Sequence, residues 1–322
     1  MFDDFGMNKT RRVGFLLIPE FSMIAFAAAI EPLRLANRVT EKDIYQNTIY
    51  SMDGTATIAS NGVGVAVEGR LDECGPLDAI FICGGLNVRK YVDKSLLSRL
   101  RRMASHGMEM GAVCTGAYVL AEAGLLDGHQ CTLHWENLTA FREEFPELDV
   151  TQELYEIDNT RATSAGGTAA MDMMLTLIGL QAGNEVATMV SDQLIHHRIR
   201  EGHEGQRMEL RNRIGVAHPK LIEAIALMED NLEEPMNCAD LAKSIGLSTR
   251  QLERLFRKYL NYVPTKYYLD LRLSRARYLL LQSSMTILDV ALASGFVSAS
   301  HFSKCYRERY RRTPSQERGH GH

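Results

Sequence analysis

DLAKSIGLSTRQLERLFRKYLNYVP, from Asp240 to Pro264, and DVALASGFVSASHFSKCYRERYRRTP, from Asp289 to Pro314, are one motif written twice. Ala242 and Gly246 recur as Ala291 and Gly295, an offset of 49. After one extra residue in the second turn, Ser248, Leu252, Phe256, Arg257 and Pro264 recur as Ser298, Phe302, Tyr306, Arg307 and Pro314, an offset of 50. A register held over that length marks an internal duplication.

Each copy has the parts of a helix-turn-helix. A short apolar helix ends at a glycine, which adopts the left-handed conformation at little cost. A serine then supplies the N-cap oxygen of the next helix. In that second helix Leu252, Leu255, Phe256 and Tyr259 fall at helical spacing and are expected inside, as are Phe302, Cys305 and Tyr306 in the other copy. The outer faces then carry Ser248, Thr249, Arg250, Gln251, Arg254 and Arg257 in the first copy, and Ser298, Ser300, His301, Lys304 and Arg307 in the second. Such side chains bond base edges and phosphates when a helix lies in the major groove. A single copy reads equally well as an amphipathic helix with a solvated basic face. Two copies in register favour double-stranded DNA, with the first copy expected to be the stronger base reader.

Charge agrees. From Ala217 onward there are 16 Lys and Arg against 11 Asp and Glu, whereas the rest of the chain holds 20 against 29. The near-neutral whole thus joins a basic segment to an acidic body, an asymmetry that bears on nucleic-acid affinity.

These residues resemble the AraC/XylS family of transcription regulators, over about the last 100 residues. The resemblance implies two helix-turn-helix subdomains joined by a long helix, here TKYYLDLRLSRARYLLLQ from Thr265 to Gln282. Before the closing Thr-Pro the family usually has glycine. This chain has Arg311, and Asn261 in the first copy, so strain or a different helix end is expected at Arg311.

The length, 322 residues, allows two domains, and a composition 45% hydrophobic and 24% charged is ordinary for globular protein. MFDDFGMNKTRR at the start lacks a signal-peptide core and no apolar run reaches a membrane span, so a cytoplasmic protein without membrane contact is expected. Cysteines at 74, 83, 114, 131, 238 and 305 form no C-x-x-C pair, which suggests neither a disulfide framework nor a metal site. His196 and His197 are adjacent and are expected on a helix surface, not as metal ligands. Polar, glycine-containing REGHEGQRMELRNRIGVAH places a linker at 201–218, between a domain over 1–200 and another over 219–322.

In the first domain, apolar runs alternate with helical patterns. RVGFLLI (Arg12–Ile18) and DAIFICGG (Asp78–Gly85) read as strands, EMGAVCTGAYVLAEAGLL from Glu109 as strand, abrupt turn and helix, and CTLHW from Cys131 as extended. The alternation predicts an α/β parallel-sheet sandwich, followed by the all-α domain, with ligands bound beyond the carboxyl ends of the strands. Cys114 occupies the turn in the manner of a nucleophile elbow, where a helix N-terminus is expected to lower the thiol pKa. Gly84 and Gly85 offer further amides to an anion.

GAVCTGAYVLAEAGLLDGHQCTLHW and ATSAGGTAAMDMML resemble the class I glutamine amidotransferase-like superfamily, in its PfpI-protease-like branch, over most of residues 10–195. The resemblance implies a flavodoxin-like fold. Fusion to an AraC-type reader further resembles regulators that sense amino acids and quaternary amines such as betaine, carnitine or arginine, IEPLRLAN at Ile30–Asn37 being especially similar to betaine-type members. The enzymes of the branch place a histidine directly after the cysteine, here Thr115, and a glutamate four residues before the proline of the first helix, here Ala28. Catalysis is therefore not expected, although His134 is a substitute base and a Cys114-dependent hydrolase or glyoxalase-like enzyme that also binds DNA is the alternative.

The expected pocket suits a small zwitterion. Cys114, Thr115, Gly84 and Gly85 face a carboxylate, while Trp135 with Glu31 or Glu136 receives a cationic amine. Each has a plainer alternative: Trp135 as a core ring, Glu31 as part of its helix's packing, His134 as a satisfied buried histidine. Asp172 is expected to favour the dipole at its helix start. Helices around Met171–Leu180 and Val186–Ile199 are the expected homodimer face. The whole reads as an effector-controlled activator of catabolic genes that recruits RNA polymerase, with an architectural DNA-binding protein as a third reading.

Overall fold

The computed structural model describes residues 9–207, 210–283 and 285–320; the opening residues 1–8, on which the leader expectation rested, lie outside them. The chain divides into two units, the first ending at Gln206 and the second beginning at Arg207.

The first unit is built on eleven strands: β1 (Arg11–Leu17), β2 (Tyr45–Ser51), β3 (Thr57–Ile58), β4 (Gly64–Val65), β5 (Gly69–Arg70), β6 (Ala79–Cys83), β7 (Glu109–Val113), β8 (Gln130–Cys131), β9 (Asp149–Val150), β10 (Tyr155–Asp158) and β11 (Arg161–Ser164). Seven of them form the main sheet, in the order β10-β11-β7-β6-β1-β2-β5. All neighbours are parallel except β10 and β11, an antiparallel pair at one edge. The helices are α1 (Met23–Thr40), α2 (Lys94–Ser105), α3 (Gly116–Glu122), α4 (Leu138–Glu144), α5 (Ala169–Ala182) and α6 (Asn184–Gln193).

Alternation along the central strands sorts their side chains between two cores. Val13, Phe15, Leu17, Phe81 and Cys83 pack with residues of α1, α5 and α6. Leu16, Ile80, Ile82, Met110 and Ala112 pack on the other face with residues of α2, α3 and α4. Both faces are buried, so these strands read as continuous apolar runs. Leu17, Cys83, Val113 and Ser164 are level across the sheet, which gives the carboxyl ends a common edge.

Several expectations change here. CTLHW is not a strand beyond Cys131, because β8 pairs with β9 for only two residues. The helix expected over Val186–Ile199 stops at Gln193, and Ile195 has φ 55°, which turns the chain away. His196 therefore leaves the helix surface and bonds Asp172. Residues 201–206 of the polar stretch also belong to the first unit: the Leu154 amide donates to Gly202 O at 2.8 Å, and Gln206 Nε2 donates to Leu133 O and Glu153 O.

The second unit is helical, with α7 (Leu210–Ile214), α8 (Pro219–Asp230), α9 (Cys238–Ser244), α10 (Thr249–Leu260), α11 (Pro264–Gln282), α12 (Ile287–Ala293), α13 (Ala299–Tyr310) and α14 (Pro314–His320). Leu221, Ile225, Met228, Leu241, Leu252 and Phe256 form the first helix-turn-helix core, against Tyr268 of α11. Phe296, Phe302 and Tyr306 are fully buried in the second. Tyr259, expected inside, is 37% exposed. The buried stripe of α10 runs through Leu252 and Phe256, one turn apart, and Tyr259 stands beside it with its ring 5.2 Å from that of His218.

Candidate functional site

Cys114 follows the last residue of β7 and has φ 59°, the left-handed region that L-residues enter at a cost. Two contacts hold it there. Its amide donates to Ser164 O of β11 at 3.0 Å, and Gly166, itself at φ 88°, passes so close that a Cβ there would lie 2.7 Å from that of Cys114. The chain then enters α3 at Gly116. The elbow foreseen from Ala-Val-Cys-Thr-Gly-Ala is thus present, at the carboxyl edge of the sheet.

Its chemistry differs from the expectation. Cys114 is only 8% exposed, and burial pushes its thiol up to about 11, opposed by the Thr115 backbone and reinforced by the Glu136 carboxylate. Desolvation of the thiolate outweighs the helix terminus. Among the described residues no hydrogen bond joins the sulfur to a base. Thr115, standing where the related enzymes have histidine, donates its hydroxyl to Gly85 O at 2.7 Å. Ala28 is buried within α1.

The remaining residues expected in the pocket divide. His134 and Glu136 come together with Nδ1 and Oε2 3.9 Å apart, and burial pushes the imidazole down while the carboxylate pulls it up. The Trp135 ring lies 5.7 Å from that of His134 and packs against the α2–α3 side core. The Glu136 carboxylate lies close enough to raise the Cys114 thiol. The Gly84 amide is not available as an anion donor, since it bonds Val113 O at 3.3 Å. Gly84 is there because a Cβ would collide with the Gly116 nitrogen, and Gly85 because one would collide with Glu20 O. Glu31 lies on the outer side of α1, its side chain half-exposed and paired with Arg34 at 2.5 Å.

Sequence reasoning missed a second polar centre. Asp172, fully buried in the first turn of α5, accepts from His196 Nε2 at 2.8 Å, the Arg200 amide at 2.8 Å, and Arg200 Nε and Nη2 at 2.9 and 2.6 Å. Its position at a helix start was legible. The partners were not, because they arrive from more than twenty residues away.

In the second unit the turn glycines Gly246 and Gly295 have φ 71° and 74°. Ser248 caps α10 and Ser298 caps α13, each accepting from the amide three residues on. Thr249, Arg250, Arg254 and Arg257 are exposed on α10, and Ser300, Lys304 and Arg307 on α13. Gln251 is exposed but committed: its Oε1 accepts from the Ser248 amide at 2.8 Å and hydroxyl at 2.9 Å, completing a capping box. His301 turns along its own helix, with Nε2 3.4 Å from Cys305 Sγ and its ring 5.8 Å from Phe296. Arg311 takes the left-handed conformation at φ 59°, and its amide closes α13 on Arg307 O at 2.9 Å.

Comparison with known proteins agrees with both halves. The DJ-1/PfpI family model matches residues 11–180, and a helix-turn-helix domain model matches residues 241–320. The chain is 46% identical to the HTH-type transcriptional regulator GbdR of Pseudomonas aeruginosa, over 97% of this chain and 85% of that one. It is 28% identical to an isonitrile hydratase of Pseudomonas putida, over 57% of this chain and 77% of the enzyme. A crystal structure of an AraC family transcriptional regulator from Pseudomonas putida covers 57% of this chain and 99% of its own, at 32% identity and a TM-score of 0.53. Among the described residues no helix is long and apolar enough to cross a membrane. The duplicated reader, the buried elbow and these likenesses together show that the chain belongs to the AraC-type helix-turn-helix transcription regulators carrying an N-terminal DJ-1/PfpI domain.

Proposed function

We propose that the elbow neighbourhood of Cys114, Thr115, His134, Trp135 and Glu136 is an effector pocket, not a catalytic centre. The observation that carries this reading is a thiol buried at the elbow, raised to about 11 and without a bonded base. A nucleophilic cysteine requires the thiolate and a proton acceptor. The effector is a small amino acid or quaternary amine. Trp135 and Glu136 supply the ring face and negative charge that attract a cation.

A ligand changes transcription only through different affinity for two arrangements of the protein. The protein acts as a homodimer. Leu180 and Met189, 50% and 41% exposed on α5 and α6, and Ile195, 78% exposed just after, supply apolar surface for that face. Effector binding then favours the arrangement in which both heads reach DNA and RNA polymerase is recruited to catabolic genes.

A thermal-shift series with glycine betaine, carnitine and arginine tests the pocket, since a ligand of the folded state raises its melting temperature. Cys114→Ser is expected to keep both the shift and DNA binding. Substrate turnover abolished by that change would overturn the reading in favour of a cysteine-dependent enzyme, and the isonitrile hydratase likeness makes isonitriles the first substrates to try.

A further inference from the structure

The extra residue that moves the repeat from an offset of 49 to 50 is Val297. Gly246 and Gly295 close their helices with amide bonds to Lys243 O and Leu292 O. The next amides, of Leu247 and Phe296, bond Ala242 O and Ala291 O, both at 2.8 Å. The two turns therefore correspond through Leu247 and Phe296. The first copy passes directly to its N-cap Ser248, whereas the second inserts Val297 before Ser298.

The insertion has no packing role. An apolar residue just before an N-cap ordinarily packs on the fourth helical residue, and Leu247 does join the core that contains Leu252. In the second copy Phe296 takes over that contact, its ring 5.1 Å from Phe302. Val297 is left 93% exposed, more than any other large apolar side chain described. It directly precedes Ser298, the N-cap of α13, while His301 is turned back toward Phe296 and Cys305.

We propose that Val297 is a specificity-determining residue that receives the 5-methyl group of a thymine in the major groove. The inference rests on the DNA-reading role of α13. Residues at the N-terminus of a recognition helix reach base edges, and thymine's methyl is the apolar group displayed there. A β-branched side chain with few rotamers forms that contact at little entropic cost. Lys304 and Arg307, four and seven residues beyond Ser300, share the helical face that leads to phosphates.

The test uses the full-length protein and duplexes enriched by it from a random-sequence library. Each thymine is replaced in turn by deoxyuridine, which pairs identically and lacks the methyl. Wild-type protein is expected to lose about 3- to 5-fold in affinity at one thymine of the second head's half-site. Val297→Ala is expected to lose that discrimination there alone, Val297→Ile to keep it, and both to unfold at the wild-type urea midpoint. An unchanged deoxyuridine profile in Val297→Ala overturns the proposal, as does a wild-type profile with no sensitive thymine. Loss of reporter activation with an unchanged profile also overturns it, by pointing to a protein contact. If the wild-type protein enriches no sequence, the DNA-reading role itself fails, a result distinguishable from all of these.

Discussion

Arg200 closes on Asp172 with three donors, its backbone amide at 2.8 Å and its guanidinium Nε and Nη2 at 2.9 and 2.6 Å. The carboxylate is fully buried and the same guanidinium also reaches Thr168 Oγ1 at 2.7 Å. The segment after α6 is therefore fastened to the first turn of α5, six residues before the first unit ends.

Removing the guanidinium leaves the buried Asp172 carboxylate held only by His196 Nε2 and the residue-200 amide. Arg200→Ala is expected to destabilise the protein by about 3 kcal/mol in urea denaturation. Combining it with Asp172→Asn should recover part of that loss, because no buried carboxylate then lacks its guanidinium. A double-mutant cycle that is additive would show the pair to be uncoupled.

Cys114 offers a pH prediction with a definite sign. A thiol raised to about 11 is almost wholly protonated at pH 8, so iodoacetamide should modify it about a hundredfold more slowly than a free thiol. The raised pKa favours folding while the thiol is protonated. That contribution is whole below about pH 8.5, the unfolded value, and is lost as pH rises through about 11. The stability difference between wild type and Cys114→Ser should change over that alkaline window and stay constant below it.

On DNA, Arg250→Ala should relax base preference at one position by roughly 1–3 kcal/mol. Arg257→Ala and Arg307→Ala should instead weaken binding to all sequences and each reduce the salt slope by about 1. Gln251→Ala differs from both: by removing the capping box it should cost roughly 1 kcal/mol of folding stability even without DNA.

Arg311→Gly is expected to stabilise the second unit by about 1 kcal/mol, since arginine holds φ 59° where glycine does so without steric penalty. Thermal melting of the full chain measures it. An unchanged or lowered midpoint would mean that the arginine side chain offsets its own backbone strain.

The sequence was most legible where spacing alone determines contact. Leu252 and Phe256, or Phe302 and Tyr306, lie one helical turn apart, so their burial followed from position. Val-Cys-Thr-Gly between an apolar run and a helical pattern located the elbow for the same reason. What escaped depended on partners distant in the chain. β2, YQNTIYS, is too polar to announce itself, and becomes a strand by lying against β1. The thiol's raised pKa follows from enclosure by β11 and Gly166, some fifty residues on. Gln251 was placed on the outer face correctly, but only geometry reveals that its amide oxygen is already held by Ser248.

Gln206 ends the first unit with its side-chain nitrogen on Thr132 Oγ1, Leu133 O and Glu153 O, at 3.0, 3.0 and 2.9 Å. Leu133 immediately precedes His134, so the peptide that carries the histidine of the proposed pocket also moors the last residue of the first unit. Any displacement of that peptide strains the Gln206 bond to Leu133 O. A Gln206→Ala protein that still binds its effector while failing to respond to it would show that this mooring matters.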